Sequence, residues 1–93
     1  MRIGCLQVQF SLPESRSLKD KRMVLRSLRD RILNKMNISV AEVGKQDLWR
    51  SSEMAFVTVA NEKQVVEKRL AEVSNILRSN PRIVVMDLYT EFL

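Results

Sequence analysis

Residues 16–36 read Arg-Ser-Leu-Lys-Asp-Lys-Arg-Met-Val-Leu-Arg-Ser-Leu-Arg-Asp-Arg-Ile-Leu-Asn-Lys-Met. Leu18, Leu25, Leu28, Ile32 and Met36 fall on one side of a 3.6-residue period, so the stretch is predicted to be an amphipathic helix. Ser17 stands where an N-cap belongs, and Asp20 complements the positive end of the helix. Neither Gly nor Pro interrupts the run. Beside the apolar face, Lys19, Arg22, Arg26 and Arg29 recur at helical spacing and form a cationic stripe, with Arg16 just ahead of it. Between Glu14 and Lys35 stand eight basic and three acidic residues, a surplus of five that equals the +5 of the whole chain. Clustered charge of one sign is an electrostatic footprint suited to phosphates or to an acidic protein surface. A solvated helix face is the plain alternative.

Working outward, residues 2–12 alternate: Gly4, Leu6, Val8, Phe10 and Leu12 face one way, and Cys5, Gln7, Gln9 and Ser11 the other. Pro13 ends this strand, because proline has no N–H for a ladder. After the helix, 38–43 reads as a second strand, with Ile38 and Val40 on one face and Ala41 and Val43 on the other. Gly44-Lys45-Gln46-Asp47 has turn chemistry, and residues 53–60 form a third strand. Its two faces are almost equally apolar, and Ala55, Val57 and Val59 are taken as inward. Asn61 is expected to cap a second helix over 62–79, with Gln64 closing a capping box and Val66, Leu70, Val73 and Leu77 as its apolar stripe. Asn80-Pro81 stops that helix. A last strand, 83–92, should turn Val84, Met86 and Leu88 inward, and Asp87, Tyr89 and Glu91 outward.

The element order is βαββαβ, which predicts an α+β, ferredoxin-like split β-α-β domain over residues 1–93. Its four-stranded antiparallel sheet should carry both helices on one face, with the first and third strands central. The other face is then open, and the strand readings place Cys5, Gln7, Gln9, Met54, Phe56, Thr58 and Tyr89 on it. Ninety-three residues suit one folded domain.

Chemistry is sparse. One cysteine and no histidine exclude an internal disulfide, a cysteine-based zinc site and a histidine base, so no cofactor or metal is expected. Cys5 is read as a small apolar strand residue. The loop after the first strand, Pro13-Glu14-Ser15-Arg16, lacks glycine and carries a carboxylate, so it makes a poor phosphate cradle; a phosphate-ester hydrolase centred on Arg16 is the weakest reading. Glu42 and Asp47 read as strand-edge and turn residues, not as a catalytic pair. RNA-recognition modules read bases with aromatics on the third strand, and 52–59 matches that signature only at Ala55, Phe56 and Val57. No enzyme is expected. No leader or membrane-spanning segment is evident, which makes the cytoplasm the default and a membrane partner unexpected.

Gln46, Trp49 and Arg50 bring an amide, a large aromatic and a base together near the hairpin tip. Such a tryptophan is expected to close the core edge or a subunit contact, with base stacking as the functional alternative. Arg16-Ser17-Leu18-Lys19-Asp20-Lys21-Arg22, Asn37-Ile38-Ser39-Val40-Ala41-Glu42-Val43 and Gln46-Asp47-Leu48-Trp49-Arg50 resemble the YlxP-like family of small bacterial proteins. The resemblance spans nearly the whole chain and implies a ferredoxin-like fold in a bacterial cytosolic protein. Genes of that family often neighbour those for transcription termination, translation initiation and ribosome maturation, which implies a ribosome- or RNA-linked role and no catalytic residue. Its motifs point to 17–22 and 46–50 as site positions. The leading expectation is a non-enzymatic accessory protein binding structured RNA or the ribosome through Arg16, Lys19, Arg22, Arg26, Arg29, Gln46, Trp49 and Arg50. The alternative is a homodimer presenting the basic helix to an acidic protein.

Overall fold

The computed structural model describes residues 1–93 in the order β1 (Arg2–Ser11), α1 (Leu18–Lys35), β2 (Ser39–Gly44), β3 (Ser51–Ala60), α2 (Lys63–Arg78) and β4 (Val84–Phe92). Every ladder is antiparallel and the sheet order is β2-β3-β1-β4, the ferredoxin-like arrangement expected from the alternation of elements. Seventeen buried apolar side chains form one core between the helices and one face of the sheet. Leu6, Val8, Phe10 and Leu12 supply the sheet side, as their alternation predicts. Helix α2 packs over β1 and β3, while α1 lies toward the β2 edge.

Local chemistry explains the first helix well. The Ser17 hydroxyl accepts the Asp20 N–H at 3.0 Å, so the expected N-cap forms. The second helix begins differently. Its N-cap position is Glu62, which makes no side-chain cap bond, so neither the Asn61 cap nor a Gln64 capping box is present. Burial of Val66, Leu70, Val73, Ile76 and Leu77 holds α2, which illustrates how packing outweighs an end effect worth about 1 kcal/mol.

Strand β3 faces the opposite way from the sequence expectation. Ser52, Met54, Phe56 and Thr58 are buried, whereas Val57 and Val59 are exposed. The register supplies the reason: Leu6 pairs with Phe56 and Val8 with Met54, so these four share the helix-covered face. Volume decided the choice, since Phe56 and Met54 fill the interior better than alanine and valine would. The polar ends of that face are satisfied. Thr58 donates to the Asn37 carbonyl at 2.8 Å and accepts from Arg69 at 2.9 Å.

Strand β4 departs for another reason. Phe10 pairs with Val85 and Gln9 with Asp87, leaving Met86 as the extra residue of a β-bulge. The bulge resets the alternation, so Val85 and Leu88 pack against the core while Val84 and Met86 are exposed. The open sheet face accordingly carries Cys5, Gln7, Gln9 and Tyr89 as expected, but Glu53, Ala55, Val57 and Val59 replace Met54, Phe56 and Thr58.

One glycine is required by close approach. A Cβ on Gly4 would run into Val66 and Leu70, so α2 can sit this near β1 only where a side chain is missing. The corrected face of β3 has a direct consequence for stability. Phe56→Ala should cost about 3–5 kcal/mol, as for a large core truncation, while Val57→Ala should cost about 1 kcal/mol or less; urea denaturation of the two variants distinguishes them.

Candidate functional site

The two sequence motifs at 17–22 and 46–50 meet in space, and Lys21 joins them. Its side chain is 1% exposed. The ammonium lies 3.0 Å from Glu42 Oε2 and donates to the carbonyl oxygens of Lys45 at 2.9 Å, Gln46 at 3.2 Å and Ser51 at 3.3 Å. Four oxygens thus surround three protons, which offsets the several kcal/mol that desolvating an ammonium costs. Glu42 Oε2 also accepts the Ser52 hydroxyl at 2.6 Å. Glu42 is therefore the counter-ion of a buried lysine, a role beyond the strand-edge reading given to it from sequence.

Lys21 was legible in principle. It fills the gap between Leu18 and Leu25, so a charged residue stands on the apolar period of α1. A charge in that position requires a partner from another element.

The loop it holds is ordered by its own backbone as well. Lys45 takes a left-handed conformation (φ 60°), which aims its carbonyl so that it accepts from both Lys21 and the Leu48 N–H. Arg50 donates through Nε to the Ser15 carbonyl at 3.0 Å, and its own carbonyl accepts the Leu12 N–H at 2.8 Å. Arg50 thus ties the hairpin end to the segment before α1. Gln46 is exposed, with its carbonyl committed to Lys21. Trp49 does not close the core edge: it is 52% exposed, beside an equally open Leu48.

The cationic stripe lies on the outer side of α1. Arg16, Lys19, Arg22, Arg26 and Arg29 are all exposed, and none belongs to an ion pair; the pairs present are Lys21–Glu42, Lys35–Glu72 and Lys63–Glu67. Arg22, Arg26 and Arg29 form one wall of a groove of about 300 Å³, whose other wall is Val40, Ala41 and Glu42 of the edge strand β2. Charge of the opposite sign gathers across the molecule. The open sheet face bears Glu53, Asp87 and Glu91, with Glu53 accepting from Gln9 at 2.9 Å. Burial and then the neighbouring Glu91 push the Cys5 thiol above its ordinary range, so Cys5 stays protonated at neutral pH.

Two donors of the loop before α1 are already used. The Ser15 N–H bonds Leu12 and the Arg16 N–H bonds the Asp20 carboxylate at 3.0 Å. A depression of about 280 Å³ nearby is lined by Glu14, Asp20 and Arg82 among others. No helix is long and apolar enough to cross a membrane.

Fold and surface together define a small ferredoxin-like domain with a free cationic helix and a pinned β-hairpin. Residues 3–90 match the model of the family described as "Protein of unknown function (DUF503)", and the chain belongs to that family. It is 33% identical over 81 residues to the "Uncharacterized protein YlxP" of Bacillus subtilis (strain 168), covering 87% of this chain and 88% of that one. Among solved structures it resembles a dimeric ferredoxin-like protein from an uncultured marine organism, with a TM-score of 0.50 and 8% identity over 100% of this chain and 94% of the other. That likeness concerns the fold.

The Lys21 network predicts a strong, non-additive effect on stability. Lys21→Met should cost about 3–5 kcal/mol by stranding Glu42 and three carbonyls. Adding Glu42→Gln should recover part of this loss, and a double-mutant cycle from chemical denaturation measures the coupling.

Proposed function

We propose that this protein is a non-enzymatic bacterial cytosolic accessory protein that contacts structured RNA, on or near the ribosome, through α1. The observation that carries the reading is the state of the basic residues. The one lysine of α1 that faces inward is spent on Glu42, while the arginines of the stripe are exposed and free of ion pairs. Unpaired guanidinium groups on a rigid helix suit phosphate oxygens, which they meet as planar forks of donors. The acidic open face supports the same assignment by repelling phosphates from the other side of the sheet.

Trp49 adds an exposed aromatic surface on the hairpin loop that Lys21 ties to α1. Its loop is held by Lys21 and Arg50, so stacking a base on it would order little additional chain. Arg50 contributes chiefly by fixing that loop, and Arg16, Lys19, Arg22, Arg26 and Arg29 supply the charge.

A second reading concerns self-association. Val57, Val59 and Tyr89 are exposed on the open face, and the structural neighbour named above is dimeric. Pairing two open faces would cover these residues and leave both basic helices outward. In sedimentation at micromolar concentration this reading requires a mass near twice that of the chain, and Val57→Lys should return the monomer; a monomer throughout removes it.

For RNA, binding to a ribosomal RNA fragment should weaken with salt by a log–log slope of about −0.7 to −0.9 per phosphate contacted. Replacing both Arg22 and Arg26 by Gln should lower the slope by roughly 1.5 without altering the thermal midpoint. Salt-insensitive binding, or none, overturns the assignment.

A further inference from the structure

We propose that the outer edge of β2 accepts an added β-strand, and that its occupant is an extended acidic segment of a partner protein with carboxylates at alternate positions. This goes beyond the RNA reading and does not rest on it, since the test contains no nucleic acid. Strand β2 is terminal in the sheet, so every second residue turns its N–H and C=O away from β3. Such an edge is a template for another chain unless something blocks it.

Lysine and proline blocks are missing from β2, its one irregularity lies at the hairpin end, and its one charge points inward. Ser39, Val40, Ala41, Glu42, Val43 and Gly44 include no lysine and no proline, and the single charge, Glu42, is turned to Lys21. Its ladder is regular from Ser39 to Glu42, with the register shift confined to the hairpin end. The opposite edge is guarded differently: β4 carries a bulge around Met86 and bears Asp87 and Glu91.

What governs the β2 edge is α1. Arg22, Arg26 and Arg29 overhang it across the groove, and none is neutralised. Along a helix these positions are spaced by about 6 Å and then about 4.5 Å. Side chains on one face of an extended strand recur about every 6.8 Å. The first interval agrees to about 1 Å and the second is short by about 2 Å, so two carboxylates at successive helix-side positions of a strand laid along β2 would meet Arg22 and Arg26, with Arg29 adding charge nearby. Main-chain bonds would supply affinity and the arginine row would supply sign selectivity.

A second copy of β2 does not fit this place. Antiparallel pairing of two β2 edges has its twofold axis normal to the sheet, which sets both arginine rows on the same side, facing each other. Like charges so juxtaposed oppose the contact.

The test uses the whole protein and a fluorescein-labelled peptide, acetyl-Glu-Val-Glu-Val-Glu-Val-amide. Three relatives accompany it: a permuted peptide with the carboxylates contiguous, and two forms N-methylated at alternate residues in each of the two registers. Anisotropy should show binding of the parent. Methylation in one register should weaken it about tenfold or more, corresponding to loss of ladder bonds, while the other register should leave it nearly unchanged. The permuted peptide should bind more weakly than the parent, and amide hydrogens of 39–44 should gain protection from exchange. Arg22→Glu with Arg26→Glu, both exposed, should abolish binding, and Arg22→Gln with Arg26→Gln, which adds no charge beside Glu42, should weaken it with an unchanged circular-dichroism melt. Equal binding by all four peptides would reduce the effect to charge attraction and overturn the proposal. Protection confined to the open sheet face would overturn it as well, as would binding of ribosomal RNA but of no peptide.

Discussion

Lys21 carries a positive charge into the interior where α1 meets the β2–β3 hairpin, and the form of the surrounding surface follows from how that charge is held. Its ammonium joins a carboxylate on β2 to carbonyls on either side of the hairpin loop. One side chain thereby sets the height of α1 above the sheet edge, the path of residues 45–51, and the conformation in which Trp49 is presented. A hydrophobic residue of similar length could fill the same volume. It could not orient three carbonyls, and this directional demand distinguishes a buried ion pair from ordinary packing.

The same arrangement sorts the charges of the molecule. Glu42 lines the same groove as Arg22, Arg26 and Arg29, but its carboxylate is bonded to Lys21 and Ser52, and these arginines form no ion pair with it. Glu53, Asp87 and Glu91 lie on the far side of the sheet. Across a sheet of this thickness, solvent and salt at physiological strength screen one group from the other, since the Debye length is about 8 Å. The domain therefore shows an approaching ligand two faces of opposite sign. Its RNA reading and its strand-addition reading both depend on the cationic one.

Much of the candidate site was visible in sequence and some was not, for reasons that differ residue by residue. The stripe on α1 could be read because exposed charge on a helix obeys a local period and needs no partner to define it. Lys21 could have been noticed as a charge on the apolar period, but nothing nearby in sequence identifies Glu42, 21 positions later, as its counter-ion. The core-edge half of the Trp49 reading does not hold, because average burial describes a residue type, whereas this side chain stands exposed on a loop tied down by Lys21 and Arg50. Arg50 was read from sequence as a ligand contact, and its bond to the Ser15 carbonyl, 35 positions away, could not be seen there.

What the amino-acid order determined by itself was the succession of elements, the sheet and helix faces of β1 and α1, the Ser17 cap, and the concentration of surplus charge on one helix. Each depends on neighbours within a turn or two of chain. Only the tertiary structure decided the inward face of β3, the reset of β4 by a bulge at Met86, and the pairing of Lys21 with Glu42. The two faces of β3 differ little in hydrophobicity, so the choice between them waits until Leu6 and Val8 align with Phe56 and Met54 and the core must be filled. A bulge, likewise, exists only between two strands.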